Sequence, residues 1–142
     1  MRKKKILVIE DDSELLELLG LCLKNAGFAV IMANNGCEAL KMARELSPDL
    51  IVLDLVLPEL DGFAVCETLR RNSLTSAIPI IVVSGLNSEF SRFAGLESGA
   101  DEYVTKPVKP DWLVSRIKHW LRHPARPRQV QVQAQRKAGA DV

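Results

Sequence analysis

The chain has 142 residues, 47% of them hydrophobic and 26% charged, and a net charge of +1. That length suits one domain able to build a core without disulfide or metal staples, and no apolar run approaches the roughly 20 residues a membrane span needs. Basic residues gather in "MRKKK" and after Pro124 around an acidic body, which argues against nucleic acid as the direct partner of the fold itself.

Short β-branched runs alternate with stretches of helical period five times. "KILVIE" (5–10) reads as a buried strand, and "DDS" offers Asp12 or Ser13 as the cap of a helix with Leu15, Leu19, Leu23 and Ala26 on one face, ending at Gly27. "AVIMA" (29–33) is a second strand, and Asn35 followed by Glu38 opens a second helix that stops before Pro48. "DLIVLD" (49–54) is continuously apolar, as a strand covered on both faces must be. A helix from about Asp61 carries Phe63, Cys66 and Leu69; "IPIIVVS" (78–84) is the fourth strand. "SEFSRFAGLESGA" forms a helix weakened by Gly95 and Gly99, with Phe90, Phe93, Ala94 and Leu96 as its apolar residues. "EYVTK" (102–106) is the last strand, and Pro110 opens a final helix striped by Leu113, Ile117, Trp120 and Leu121. Five β-then-α units predict an α/β domain, a doubly wound five-stranded parallel sheet over residues 1–123. Residues 124–142, rich in glutamine and proline, are expected to be a disordered tail or linker.

The basic start runs into an apolar stretch too short for a signal peptide, so the expected location is cytoplasmic. Cys22, Cys37 and Cys66 are odd in number, lack C-x-x-C spacing and read as reduced thiols in or near the core.

In a parallel sheet every strand ends on the same edge, and ligands bind there. The strand ends bring Glu10, Asp11, Asp54, Ser84 and Lys106 together. Clustered acids raise one another's pKa unless a cation neutralises them, and a hard, oxygen-seeking Mg²⁺ suits carboxylates. With Lys106 it would stabilise a phosphoryl group in transit while Asp54 supplies the nucleophilic oxygen and Ser84 a hydroxyl donor. Taken singly, Asp54 reads first as a strand-end turn residue and Asp11 or Asp12 as a helix cap, and only the set together favours the chemical reading.

With "ILVIEDD", "IVLDLVLPELDG", "PIIVVSG" and "YVTKP" in this order and spacing, the chain resembles a response regulator receiver domain of the CheY type over about residues 4–123. The resemblance implies a flavodoxin-like (βα)5 fold with strand order 2-1-3-4-5. It makes Asp54 the phosphoacceptor and Asp11 a direct ligand of Mg²⁺, with Glu10 acting through water and the Val56 backbone carbonyl as a further ligand. Ser84 matches the switch hydroxyl, Lys106 the phosphate-pairing lysine, Pro107 the residue after a cis peptide, and Tyr103 the aromatic whose rotamer follows Ser84. A histidine kinase or histidine phosphotransfer protein is the implied phosphodonor. The implied readout face is formed by helix 4, strand 5 and helix 5, contacting an output protein, an output domain or a second copy, with Phe90, Phe93, Tyr103 and Trp112 as candidates on or near it. Trp120 is assigned to the core, and His119 and His123 receive no function.

Glu10 replaces the commoner aspartate. Val56 and Leu86 are apolar where the family often places side chains that orient the attacking water, which predicts a long-lived phosphoryl state. Among rival classes, a haloacid dehalogenase-type phosphatase needs a second acid two residues after its nucleophile, where Val56 stands. A Toprim-type D-x-D, a G-x-G-x-x-G after the first strand and a P-loop are all missing from the sequence. The remaining alternatives are a pseudo-receiver that does not use phosphorylation and an N-terminal receiver cut from a longer regulator. A receiver is not an enzyme in the ordinary sense, since it catalyses only its own phosphorylation and dephosphorylation.

Overall fold

The apolar runs at residues 5–9 and 50–53 pair side by side as β1 (Lys5–Ile9) and β3 (Leu50–Leu53) at the centre of a parallel sheet ordered β2-β1-β3-β4-β5. A computed structural model describes residues 2–126 of the chain. The remaining strands are β2 (Ala29–Ala33), β4 (Ile80–Ser84) and β5 (Glu102–Thr105). Five helices alternate with them: α1 (Ser13–Asn25), α2 (Gly36–Leu46), α3 (Gly62–Arg71), α4 (Glu89–Glu97) and α5 (Pro110–Arg122). Of the segment expected to be a tail, Pro124–Arg126 is described, and the rest lies outside the described residues.

Because strand side chains alternate between faces, the sheet makes two cores. Leu7, Ile9, Ile51, Leu53, Ile80 and Val82 pack with Ala39, Ala43, Val65 and Leu69 of α2 and α3. Ile6, Val8, Leu50, Val52, Ile81 and Val83 pack on the other face with Leu19, Leu23, Leu113 and Ile117 of α1 and α5. Each fully buried leucine or isoleucine contributes roughly 1.5–3 kcal/mol by leaving water.

Local chemistry fixes the helix starts. Asp12, not Ser13, caps α1: its Oδ1 accepts from the Glu14 and Leu15 N–H groups at 3.1 and 3.4 Å. Such a cap is worth about 1 kcal/mol. Asn35 caps α2 through the Glu38 N–H at 2.9 Å, and Asp61 caps α3 through the Ala64 N–H at 2.9 Å.

Two expectations are corrected. Cys37 is exposed, because the first turn of α2 turns Gly36 inward and leaves the next side chain in solvent; Cys22 is half-buried and Cys66 buried. Trp120 lies at the rim of the core, where its indole N–H donates to Glu102 Oε1 at 2.7 Å. A half-buried indole N–H turned away from solvent favours such an acceptor, and Glu102 at the start of β5 supplies it.

Candidate functional site

Strand register decides which residues meet at the C-terminal edge of the sheet. Ile9 pairs with Leu53, and the Asp54 N–H donates to Ile9 O at 3.0 Å, so Glu10 and Asp54 emerge side by side just past their strands. Ser84 pairs with Thr105, and the Lys106 N–H donates to Ser84 O at 2.8 Å, which aligns the lysine with the end of β4. The strands stop one residue short of Glu10, Asp54 and Lys106, so these side chains sit in the edge crevice rather than in the ladder.

The crevice gathers unlike charges. Glu10, Asp11 and Asp54 each bring a carboxylate oxygen within 4.8 Å of the others. Glu10 and Asp54 are buried and Asp11 is exposed. Lys106 Nζ bridges the two buried acids, donating to Glu10 Oε1 at 2.6 Å and Asp54 Oδ2 at 2.9 Å. The Asp54 carboxylate also accepts from the Val56 N–H at 3.1 Å, and Glu10 Oε2 from the Asp12 N–H at 3.2 Å. With Asp12 committed to capping α1, Asp11 is the member of the acidic pair that joins the cluster.

Burial pushes the Glu10 carboxyl above its ordinary value; the Lys106 and Asp12 hydrogen bonds oppose this and the Asp54 charge adds to it. For Lys106, burial pulls the ammonium down, but hydrogen bonds to Glu10 and Asp54 and their negative charge outweigh it and hold the group above its usual range. An all-oxygen set of three convergent carboxylates fits a hard divalent cation such as Mg²⁺.

Ser84 is fully buried and its Oγ accepts from the Leu86 N–H at 3.3 Å. The Tyr103 ring is buried, and its hydroxyl donates to Leu86 O. The Leu86 backbone thus links Ser84 to Tyr103. The Lys106–Pro107 peptide is cis. Val56 is 54% exposed, and Trp112, 47% exposed, lines a groove of about 510 Å³ with Arg92, Tyr103, Pro107, Val108 and Lys109. Phe90 and Phe93 stand in solvent on α4.

Two glycines have packing roles not expected from the sequence, where Gly62 goes unremarked and Gly95 figures only as weakening its helix. A Cβ at Gly62 would lie 2.4 Å from Asp54 O and from Leu55 Cα, so only glycine lets the start of α3 rest on the backbone that carries Asp54; its N–H donates to Leu55 O at 2.9 Å. A Cβ at Gly95 would lie 2.8–2.9 Å from Tyr103 ring atoms, so its bare backbone makes room for that ring. The "DG" at 61–62 was the available signal for the first; the second carries none beyond a glycine inside a helix.

A doubly wound 2-1-3-4-5 sheet with clustered acids and a lysine at its C-terminal edge defines a receiver of two-component signalling. The chain belongs to that family: the response regulator receiver domain matches residues 6–118. It is 46% identical over 119 residues to the alkaline phosphatase synthesis transcriptional regulatory protein PhoP of Bacillus subtilis (strain 168), covering 84% of this chain and 49% of that protein. It is 42% identical over 120 residues to the DNA-binding response regulator MtrA of Mycolicibacterium paratuberculosis, covering 84% and 52%. The chain therefore spans about half the length of these curated relatives. Among solved structures it is similar to the BeF3-activated N-terminal receiver domain of RstA from Klebsiella pneumoniae, with TM-score 0.77 and 31% identity over 84% of this chain and 100% of that one. No helix among the described residues is long and apolar enough to cross a membrane.

Proposed function

We propose that Asp54 is the phosphoacceptor of this receiver and that its phosphoryl state sets the α4, β5 and α5 surface that a partner reads. The observation that carries this reading is the Lys106 ammonium bridging Glu10 and Asp54 inside a cluster of three carboxylates. An Asp54 carboxylate oxygen attacks the phosphorus of a phosphohistidine on a histidine kinase or phosphotransfer protein. The P–O bond forms as the P–N bond breaks, and the imidazole leaves with the electron pair. Asp11, Asp54 and the Val56 carbonyl would hold Mg²⁺, with Glu10 acting through water, and the ion would supply positive charge against the phosphoryl oxygens. Lys106, released from Asp54 as that carboxylate becomes an acyl phosphate, pairs with a phosphoryl oxygen, and the Ser84 hydroxyl donates to another.

The apolar side chains of Val56 and Leu86 offer no hydrogen bond to a hydrolytic water, so the aspartyl phosphate is long-lived unless a partner supplies that group. Val56→Asn is expected to shorten its lifetime in the isolated domain; an unchanged decay rate would remove this part of the reading.

The test of the main reading is incubation with Mg²⁺ and acetyl phosphate. The protein should take up an acid-stable, base-labile phosphate that Asp54→Asn cannot accept. Absence of uptake by the intact protein favours a pseudo-receiver. A second reading concerns context: the curated relatives that the chain half-covers are described as a transcriptional regulatory protein and a DNA-binding response regulator. This supports a receiver that works at the N-terminal end of a transcription regulator, with residues from Pro124 leading toward an output domain.

A further inference from the structure

Tyr103 is held from three sides, and only one of them belongs to the phosphoacceptor crevice. Its hydroxyl donates to Leu86 O, its ring lies against the bare backbone of Gly95, and the Arg92 guanidinium carbon stands 5.2 Å from the ring centroid. That guanidinium also donates to Tyr103 O at 3.1 Å and to Thr105 Oγ1 at 3.3 Å. Arg92 and Gly95 are three residues apart and therefore share a face of α4. Both interactions of Arg92 on β5 are with neutral acceptors; among the described residues it has no carboxylate ion-pair partner. A surface arginine free of acids, spread over an aromatic face and two β5 oxygens, is arranged for that ring rather than for a salt bridge.

We propose that Arg92 is a positioning residue, a latch from α4 that keeps the Tyr103 ring buried against Gly95 and so sets how tightly α4 follows the Ser84–Leu86 turn. The guanidinium nitrogens hold the Tyr103 carbonyl and the Thr105 hydroxyl while the guanidinium carbon stands over the ring, so the ring cannot swing outward without Arg92 leaving first. The consequence for signalling rests on the reading of Tyr103 as the switch aromatic; the latch itself rests only on the contacts above. It also places the latch in the groove shared with Trp112 and Lys109, where anything that draws the guanidinium away would free the ring.

Tyr103 is the single tyrosine of the chain, so fluorotyrosine labelling gives one ¹⁹F resonance with no assignment step. The shift of that line between H₂O and D₂O reports solvent contact. The parent protein should show a small isotope shift. Arg92→Ala should raise it at least twofold toward the value of free fluorotyrosine, and Arg92→Lys, which keeps a cation near the ring, should bring it part of the way back. Gly95→Ala, whose Cβ would fill the space of the ring, should push the ring out and Arg92 off it together, giving the reference spectrum of an unlatched tyrosine in a chain whose fold is checked by circular dichroism. An Arg92→Ala isotope shift equal to the parent's, or no difference between the lysine and alanine variants, overturns the proposal. Uptake of phosphate from acetyl phosphate is measured alongside: its absence in the parent would overturn the phosphoacceptor reading and leave the latch result standing.

Discussion

The two ends of the sheet handle carboxylates in opposite ways. At the N-terminal end, Asp101 Oδ2 accepts from Arg70 Nη2 at 2.8 Å and from the Ile80 N–H at 2.9 Å, while its Oδ1 accepts from Arg126 Nη1 at 2.8 Å. Arg70 spends its other donors on Gly99 O, Ser76 O and Ile78 O. At the C-terminal end, Glu10, Asp11 and Asp54 share one lysine. The first arrangement is closed, with every charge answered by a partner of fixed geometry. The second is open, with acids in excess of the cation, which is the condition under which a divalent metal ion binds with gain. The same residue types therefore form a closed network at one end and an open cluster at the other, and the ratio of acids to cations distinguishes them.

Breaking the closed end should have the largest effect. Asp101→Ala strands the buried Arg70 guanidinium, the Ile80 N–H and Arg126 together, and loss of one partner from a buried pair typically costs about 3–5 kcal/mol. Urea denaturation measures it, with Asp101→Asn as a milder variant that keeps an acceptor for Ile80. A loss below about 1 kcal/mol, the scale of an exposed pair, would mean that the two ends do not differ as described.

At the open end the expected effect is smaller and depends on pH. Lys106→Met removes hydrogen bonds to charged groups, a loss of about 2 kcal/mol near neutral pH, and leaves three acids without their cation. Burial raises the Glu10 carboxyl, so the folded protein keeps a proton there above pH 4.5 that the unfolded chain releases; stability falls as pH rises through the folded value. The raised Lys106 contributes fully below pH 10.5 and loses that contribution as pH rises through its folded value. Removing the lysine should steepen the fall above pH 4.5, abolish the alkaline loss due to Lys106, and make added Mg²⁺ more stabilising than in the parent. Urea midpoints measured from pH 4.5 to 7 with and without Mg²⁺ decide it; parallel curves for parent and variant would contradict the excess-acid account.

Much of this contrast was legible in the sequence at the open end and little of it at the closed end. Glu10 and Asp54 follow strongly apolar runs and Lys106 a short mixed one, and parallel strands put such residues on one edge, so the strand pattern assembles the crevice. Arg70, Asp101 and Arg126 look like ordinary surface charges in a helix, a turn and a tail, and their meeting depends on contacts across 31 and 25 residues that no local pattern encodes. Gly95 was legible only as a weak point of α4, because a small residue carries no hydrophobic signal and its use is defined by the Tyr103 ring that fills the space. Cys37 was misplaced for a related reason: one apolar residue at a helix start has no periodic partner to show which way it faces.

The gentlest probe of the closed end is Cys66, a buried thiol of α3 whose proton affinity feels Arg70, Asp101 and Arg126. Burial raises its pKa from 9.0 to about 11, with the charge of Arg70 opposing. Near pH 8 its thiolate fraction is then roughly 100-fold below that of an ordinary thiol, before access is considered. A maleimide should label exposed Cys37 readily and Cys66 only through opening of the fold, so the ratio of the two rates measures how firmly the arginine end is shut. Asp101→Ala should speed labelling of Cys66 far more than that of Cys37, whereas Lys106→Met, acting at the opposite end of the strands, should leave the ratio nearer the parent's. Equal labelling of both cysteines in the parent would show that the closed end opens as freely as the surface, and the distinction between the two ends would then be one of charge alone.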